Sequence, residues 1–141
     1  MTKTTKRVII AAIAAIVATG LIFGGVYLYN LAEYRRIIAG IEIETTDLSQ
    51  VQDGTFSGFF DSNFVAANVD VTVENHEITQ VVITNHYHGN WEHAVSAEVV
   101  ADWVVAQQTL YVDTVAGATN SSLVILSAIQ DALENGIGMN R

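Results

Sequence analysis

The sequence predicts an α+β protein: a small antiparallel sheet with two main helices, preceded by one N-terminal transmembrane helix. Three observations predict it. Val8–Tyr29 is a run of 22 residues without a charge. Val69, Val71 and Val73 alternate with Asn68, Asp70 and Thr72, the period of a strand with one apolar face. Leu126, Ile129 and Leu133 recur at spacings of three and four, the period of a helix with one apolar face.

In chain order, residues 1–7 form a short basic tail and 8–30 the anchor. Residues 31–51 form a stalk and linker, 52–136 the folded domain and 137–141 a C-terminal tail. The 141 residues suffice for one small domain plus an anchor. A helix rises ~1.5 Å per residue, so the uncharged run can cross a bilayer core of ~30 Å. Tyr27 and Tyr29 stand at its far end, where aromatic side chains favour the interface. A cleaved signal peptide is the competing reading, but its apolar core spans only about 7–15 residues. The longer run favours an uncleaved anchor in contact with membrane lipid. The helix is expected to continue toward Ile38. Ile41–Val51 then reads as a polar, acidic linker.

The domain opens with Asp53-Gly54-Thr55-Phe56-Ser57-Gly58-Phe59-Phe60, a turn followed by a strand. The Val69–Val73 strand follows. Glu74-Asn75-His76-Glu77 is a turn, since Asn tolerates left-handed geometry. Ile78–Thr84 returns as a strand, and its consecutive Val81, Val82 and Ile83 suggest a central position. His86–His93 reads as a loop. Ser96 can cap the next helix, with Glu98 favourable in its first turn and Val99, Val100, Trp103 and Val104 as its core stripe. Thr109–Val112 is short and β-prone.

Composition excludes several functions. There is no Cys and no Pro, so no disulfide framework, cysteine metal site or thiol catalyst exists. The net charge of -9 disfavours nucleic acid as a partner. Fourteen of the fifteen acids follow Arg36, and no Lys or Arg lies between Ile37 and Asn140. A phosphate bound there must rely on backbone amides, a helix N-terminus, hydroxyls or a covalent bond. No Ser-His-Asp arrangement or catalytic acid pair can be argued from spacing, so a hydrolase has no support.

Asp113–Leu133 reads as a small-residue turn feeding a helix. Gly117 allows backbone angles closed to other residues, and Ala116 and Ala118 keep the turn uncrowded. Asn120 or Ser121 can cap the first free amides, and Asn135-Gly136 is a plausible stop. Thr119 then places a hydroxyl just ahead of a helix N-terminus, a favourable place for a phosphate.

Asp113-Thr-Val-Ala-Gly-Ala-Thr119 resembles the flavinylation motif of the FMN-binding domain family: Asp, two free positions, Ser or Thr, then Gly-Ala-Thr. Ala116 departs from it, standing at the Ser/Thr position. The order of a Gly-Thr-aromatic strand and a Val-rich hairpin is also similar, so the resemblance covers about Gln52 to Gly136. The family occurs in flavoprotein subunits of sodium-pumping and related membrane redox complexes, and in extracytoplasmic electron carriers. The resemblance implies FMN joined through its phosphate to Thr119 by a dedicated flavin transferase. Ala116, Gly117 and Ala118 would form the turn around the attachment. Asp113 would be read by the transferase or cap the turn. Ser121 and Ser122 are plain caps or phosphate contacts, and Asn120 lies beside them.

The resemblance further implies a single-pass membrane flavoprotein with its N-terminus in the cytoplasm and its domain outside. It would carry electrons from a quinol-linked or NADH-linked membrane chain to an external acceptor. The acidic surroundings should disfavour the anionic reduced flavin and lower its potential. The alternative is a flavin-binding sensor or accessory subunit without its own turnover; a third reading is an interaction module with no cofactor. Tyr87, Trp91 and Trp103 are candidates to stack on the flavin ring. Trp103 belongs to the helix stripe, so Trp91 is the preferred one. His86, His88 and His93, with Glu92, lack the spacing of a known ligand set, and no metal is expected.

Overall fold

A computed structural model describes residues 2–88 and 92–138, with the side chain of Glu92 left out of the description. The first helix, α1, runs from Lys3 to Ala39. Thr2 caps it, its hydroxyl accepting from the Thr5 amide. Large apolar side chains from Val8 to Leu28 are exposed along it, and it is long and apolar enough to cross a membrane. Beyond Tyr29 its character changes. Tyr34 is buried, and Leu31 and Ile38 pack on the domain core.

After Ala39 the chain lies on the domain. Ile41 and Ile43 pack against the core, Asp47 caps a 3₁₀ turn over Leu48–Gln50, and Val51 is fully buried. Three antiparallel strands follow in the order β1 (Gly54–Asp61), β2 (Ala66–Glu74), β3 (Glu77–Tyr87). The β2–β3 connection is the two-residue turn at Asn75-His76, both at positive φ, as a primed hairpin turn requires. Ala67, Val69, Val71 and Val73 form the buried face of β2.

A 3₁₀ segment (Glu92–Glu98) leads into α2 (Val99–Gln107), and an irregular stretch leads to α3 (Thr119–Gly138). Helix α3 lies across β1 and β2 and buries Val124, Ile125, Ala128, Ile129, Ala132 and Leu133 against them. It approaches closely at Gly58, where a Cβ would collide with the Ala128 carbonyl and the Ala132 backbone. At Gly136 a Cβ would sit 2.7 Å from Val51 and 2.9 Å from Phe56.

Several expectations are corrected. Strand β3 is an edge, not central. Its open side meets a side chain instead of a strand: Gln108 accepts from the Ile78 amide and donates to the Ile78 carbonyl, both at 2.8 Å. Thr109–Val112 is irregular, because Gln108 already ends α2 in a left-handed conformation. His86 and Tyr87 are not loop residues. They complete β3 because β2 reaches back to pair Ala67 with His86 and Ala66 with Tyr87. His93 stands in the 3₁₀ segment. Ser96 does not cap α2; its hydroxyl donates to the His93 carbonyl, and Glu98 precedes the helix without a side-chain cap. In the α2 stripe, Val100 and Val104 are buried, Trp103 is half-buried and Val99 is exposed. Asn135-Gly136 is no stop. Gly136 admits Val51 and Phe56 beneath α3, and Asn135 Nδ2 donates to the Ser57 carbonyl.

Candidate functional site

Val115–Ala118 is a tight turn, with the Ala118 amide donating to the Val115 carbonyl at 2.9 Å. Gly117 is its third residue at φ 81°, as a type II turn needs. A Cβ on Gly117 would meet nothing within 4 Å, so the space beside the turn is open. Ser122, one turn into α3, stitches turn to helix. Its Oγ donates to the Ala118 carbonyl (3.0 Å) and accepts from the Val115 amide (3.1 Å). Neither Asn120 nor Ser121 caps the helix: α3 already begins at Thr119, and the Ala118 carbonyl accepts its first helical bond from the Ser122 amide. The amides of Thr119, Asn120 and Ser121 therefore precede any possible intrahelical partner.

Thr119 is exposed and opens onto a cavity of about 240 Å³. Tyr34, Val65, Ala94, Gly117, Asn120 and Ser121 contribute to its lining. Asn120 Nδ2 donates to the Tyr34 hydroxyl at 2.8 Å, which ties the start of α3 to α1. Ser122 is buried and its hydroxyl is used within the turn, whereas Ser121 reaches the cavity. Ala116 is exposed on the turn. Asp113 is exposed in a separate concavity beside Trp103, Gln107 and Tyr111. Trp91, Gly89 and Asn90 lie outside the described residues. Among the described residues, no three His, Cys, Asp or Glu side chains are grouped to hold a metal.

Sequence reasoning did not find Tyr34 or Phe64. Both are distant in sequence from Thr119, and their rings meet edge to face at 5.5 Å. Nothing local in the sequence pairs the emerging end of α1 with the β1–β2 connection. It also did not find the pairing of His86 with Glu98, described below.

A cavity beside the first amides of a helix and a hydroxyl, with no cationic side chain in its lining, suits a phosphate-bearing ligand. Residues 65–134 match the model of the FMN-binding domain family, and the folded domain of this chain belongs to that family. It is a flavin-binding protein with FMN as its cofactor. No curated protein and no solved structure gives a match. The residues present fit FMN. The open space at Gly117 and the amides starting α3 suit a phosphate, and the aromatic ring of Tyr34 lines the same cavity.

Proposed function

We propose that this chain is a membrane-anchored electron carrier whose FMN is joined by a phosphoester to Thr119. The observation that carries the reading is the exposed Thr119 hydroxyl at the mouth of the cavity, at the N-terminus of α3, inside an FMN-binding domain. The flavin supplies the redox chemistry; the chain's residues hold and orient it. The Thr119 Oγ forms the ester. The following amides receive the remaining phosphate oxygens, each such dipole contact contributing about 0.3–1 kcal/mol at an exposed site. No Lys or Arg between Ile37 and Asn140 competes for that role. The covalent bond supplies retention, which suits a domain facing the outside, where free FMN would diffuse away.

The anchor is the uncharged part of α1, with the N-terminus in the cytoplasm and the domain outside. A flavin transferase loads the cofactor, a membrane chain donates electrons and an external acceptor removes them. Acidic surroundings disfavour the anionic reduced flavin and lower its potential.

The test is co-expression with a flavin transferase. The intact mass should rise by FMN less one water, and flavin fluorescence should persist after denaturing electrophoresis. Thr119→Val should give a folded, flavin-free protein; denaturation-resistant flavin on that variant would overturn the assignment. If the unmutated chain binds FMN but releases it on denaturation, Ala116→Ser tests whether the missing hydroxyl limits loading. Protease added to right-side-out protoplasts should digest the domain; protection until lysis would reverse the orientation.

A further inference from the structure

Beside the Thr119 cavity lies a second one of about 170 Å³, to which Tyr27, Leu31, Tyr34, Phe64, Tyr87 and His88 contribute. The two cavities share Tyr34 and Val65. Tyr27, Leu31 and Tyr34 fall four and three residues apart, so they present one face of α1. Tyr27 still belongs to the uncharged apolar run Val8–Tyr29, and the next charge is Glu33. This wall therefore begins at the depth where the membrane span meets the interface. In the proposed topology, the second cavity would lie between the bilayer edge and the attachment site.

Its lining is apolar and aromatic apart from the tyrosine hydroxyls and one imidazole. Among the described residues, the buried Nδ1 of His88 has no hydrogen-bond partner, and neither does the buried Nε2 of His86. A buried nitrogen left unpaired costs about 1–3 kcal/mol, so it points to a ligand or to chemistry. The two imidazoles are 5.2 Å apart, edge to face. The His86 side chain is only 2% exposed, and its Nδ1 lies 3.1 Å from the Glu98 carboxylate, whose side chain is 43% exposed. His86 thus stands between His88 and Glu98, bonded to Glu98 and in ring contact with His88.

We propose that this cavity binds the ring of a hydroquinone dissolved in the membrane, and that this hydroquinone is the electron donor. The proposal rests on the flavin at Thr119, which is the oxidant. The ligand must enter from the bilayer edge yet offer a hydrogen to His88 Nδ1. A hydrocarbon chain would leave that nitrogen unpaired. A phosphate headgroup or a dinucleotide would find no cation in the lining. A flat phenolic ring meets both demands, and Tyr27, Phe64 and Tyr87 supply aromatic faces and edges for it. Its oxidation breaks both ring O–H bonds and leaves a quinone. A flavin held at Thr119, beyond the shared wall of Tyr34 and Val65, would accept the two electrons. The two protons go in turn to His88 Nδ1, in the Nε2–H tautomer, and from the imidazolium to solvent. Protons needed on the reduced flavin would come from solvent.

The experiment uses the full chain in phosphatidylcholine discs and decylubiquinone as probe. Binding is read first on the flavin-free Thr119→Val variant, from quenching of intrinsic fluorescence, so it does not depend on the flavin assignment. Saturable binding is expected. His88→Leu should weaken it about tenfold, the loss of one good hydrogen bond. His88→Asn, whose amide oxygen can stand near the Nδ1 position, should retain it. Leu31→Trp, which fills the cavity from α1, should abolish it. On the flavinylated protein, decylubiquinol should reduce the flavin without oxygen, and His88→Leu should slow that step while dithionite still reduces the flavin at the unmutated rate. Absence of saturable binding would overturn the proposal. So would binding that is equal in His88→Leu and Leu31→Trp. Quinone that binds Thr119→Val but is excluded from the flavinylated chain would show that the flavin ring fills this cavity, and would also overturn it.

Discussion

The two ends of α3 are built from the same small residues and put to opposite use. Toward the C-terminus, Gly136 lies against Val51 and Phe56, and β1 supplies Gly58 beneath the backbone of Ala128 and Ala132. At both of these glycines the space that a missing Cβ leaves is filled by a neighbour. At the N-terminus, Gly117 faces nothing within 4 Å, and Thr119 stands beside a cavity. Composition alone does not tell a glycine that closes a core from one that opens a site. What occupies the space beside it does.

Breaking the closed end should have the largest effect on stability. Gly58→Val drives a branched side chain into helix backbone, which cannot swing aside. Overpacking of this kind costs about 1–3 kcal/mol, and the contact with backbone favours the upper part of that range. Thermal unfolding should fall by several degrees; an unchanged midpoint would refute the close approach. Gly136→Ala meets the side chains of Val51 and Phe56, which can shift, so its cost should be smaller than that of Gly58→Val.

At the open end the same kind of change should act through the backbone alone. Gly117→Ala meets no atom, but its φ of 81° disfavours any L side chain, by about 1–2 kcal/mol. Calorimetry should show a lower midpoint with the fold retained, and flavin loading should slow. Thr119→Val sharpens the contrast further. Its hydroxyl is exposed, so the change in stability should stay within about 0.5 kcal/mol, even as covalent flavin is lost.

The smallest effect lies at the margin of the closed end. Hydrogen bonds from the Ser49 hydroxyl, the Gln50 amide and the Ser49 backbone hold the Asp47 carboxyl below its usual range. A lowered carboxyl contributes stability above its ordinary value and loses it as pH falls through the folded value. Asp47 is fully exposed, so Asp47→Asn should change acid unfolding only slightly, in the direction of a shallower loss below about pH 4.

Much of the architecture is legible because it is local. The period-two valines set the buried face of β2, and Asn75-His76 sets its hairpin. What escapes depends on distant partners. Three consecutive apolar residues in β3 suggest two covered faces, but Gln108 from α2, not a fourth strand, meets its open side. Asn135-Gly136 has the residues of a helix stop, but its role is decided by Val51, more than eighty positions earlier. At the candidate site, Asp113–Thr119 is readable as a motif, while the cavity it faces is made by Tyr34, Val65 and Ala94. No spacing rule links residues so far apart.

The hydrogen bond from Asn120 to Tyr34 would make the proposed anchor a mast and not a tether. Tyr34 lies only five residues beyond Tyr29, a rise of ~7.5 Å along a helix. In the proposed topology, the domain would keep a fixed height and heading above the lipid surface. The proposed redox partner would have to come down to the membrane to meet it. A chain cut free of α1 would lose more than its address, because one wall of its own cavity would leave with the helix.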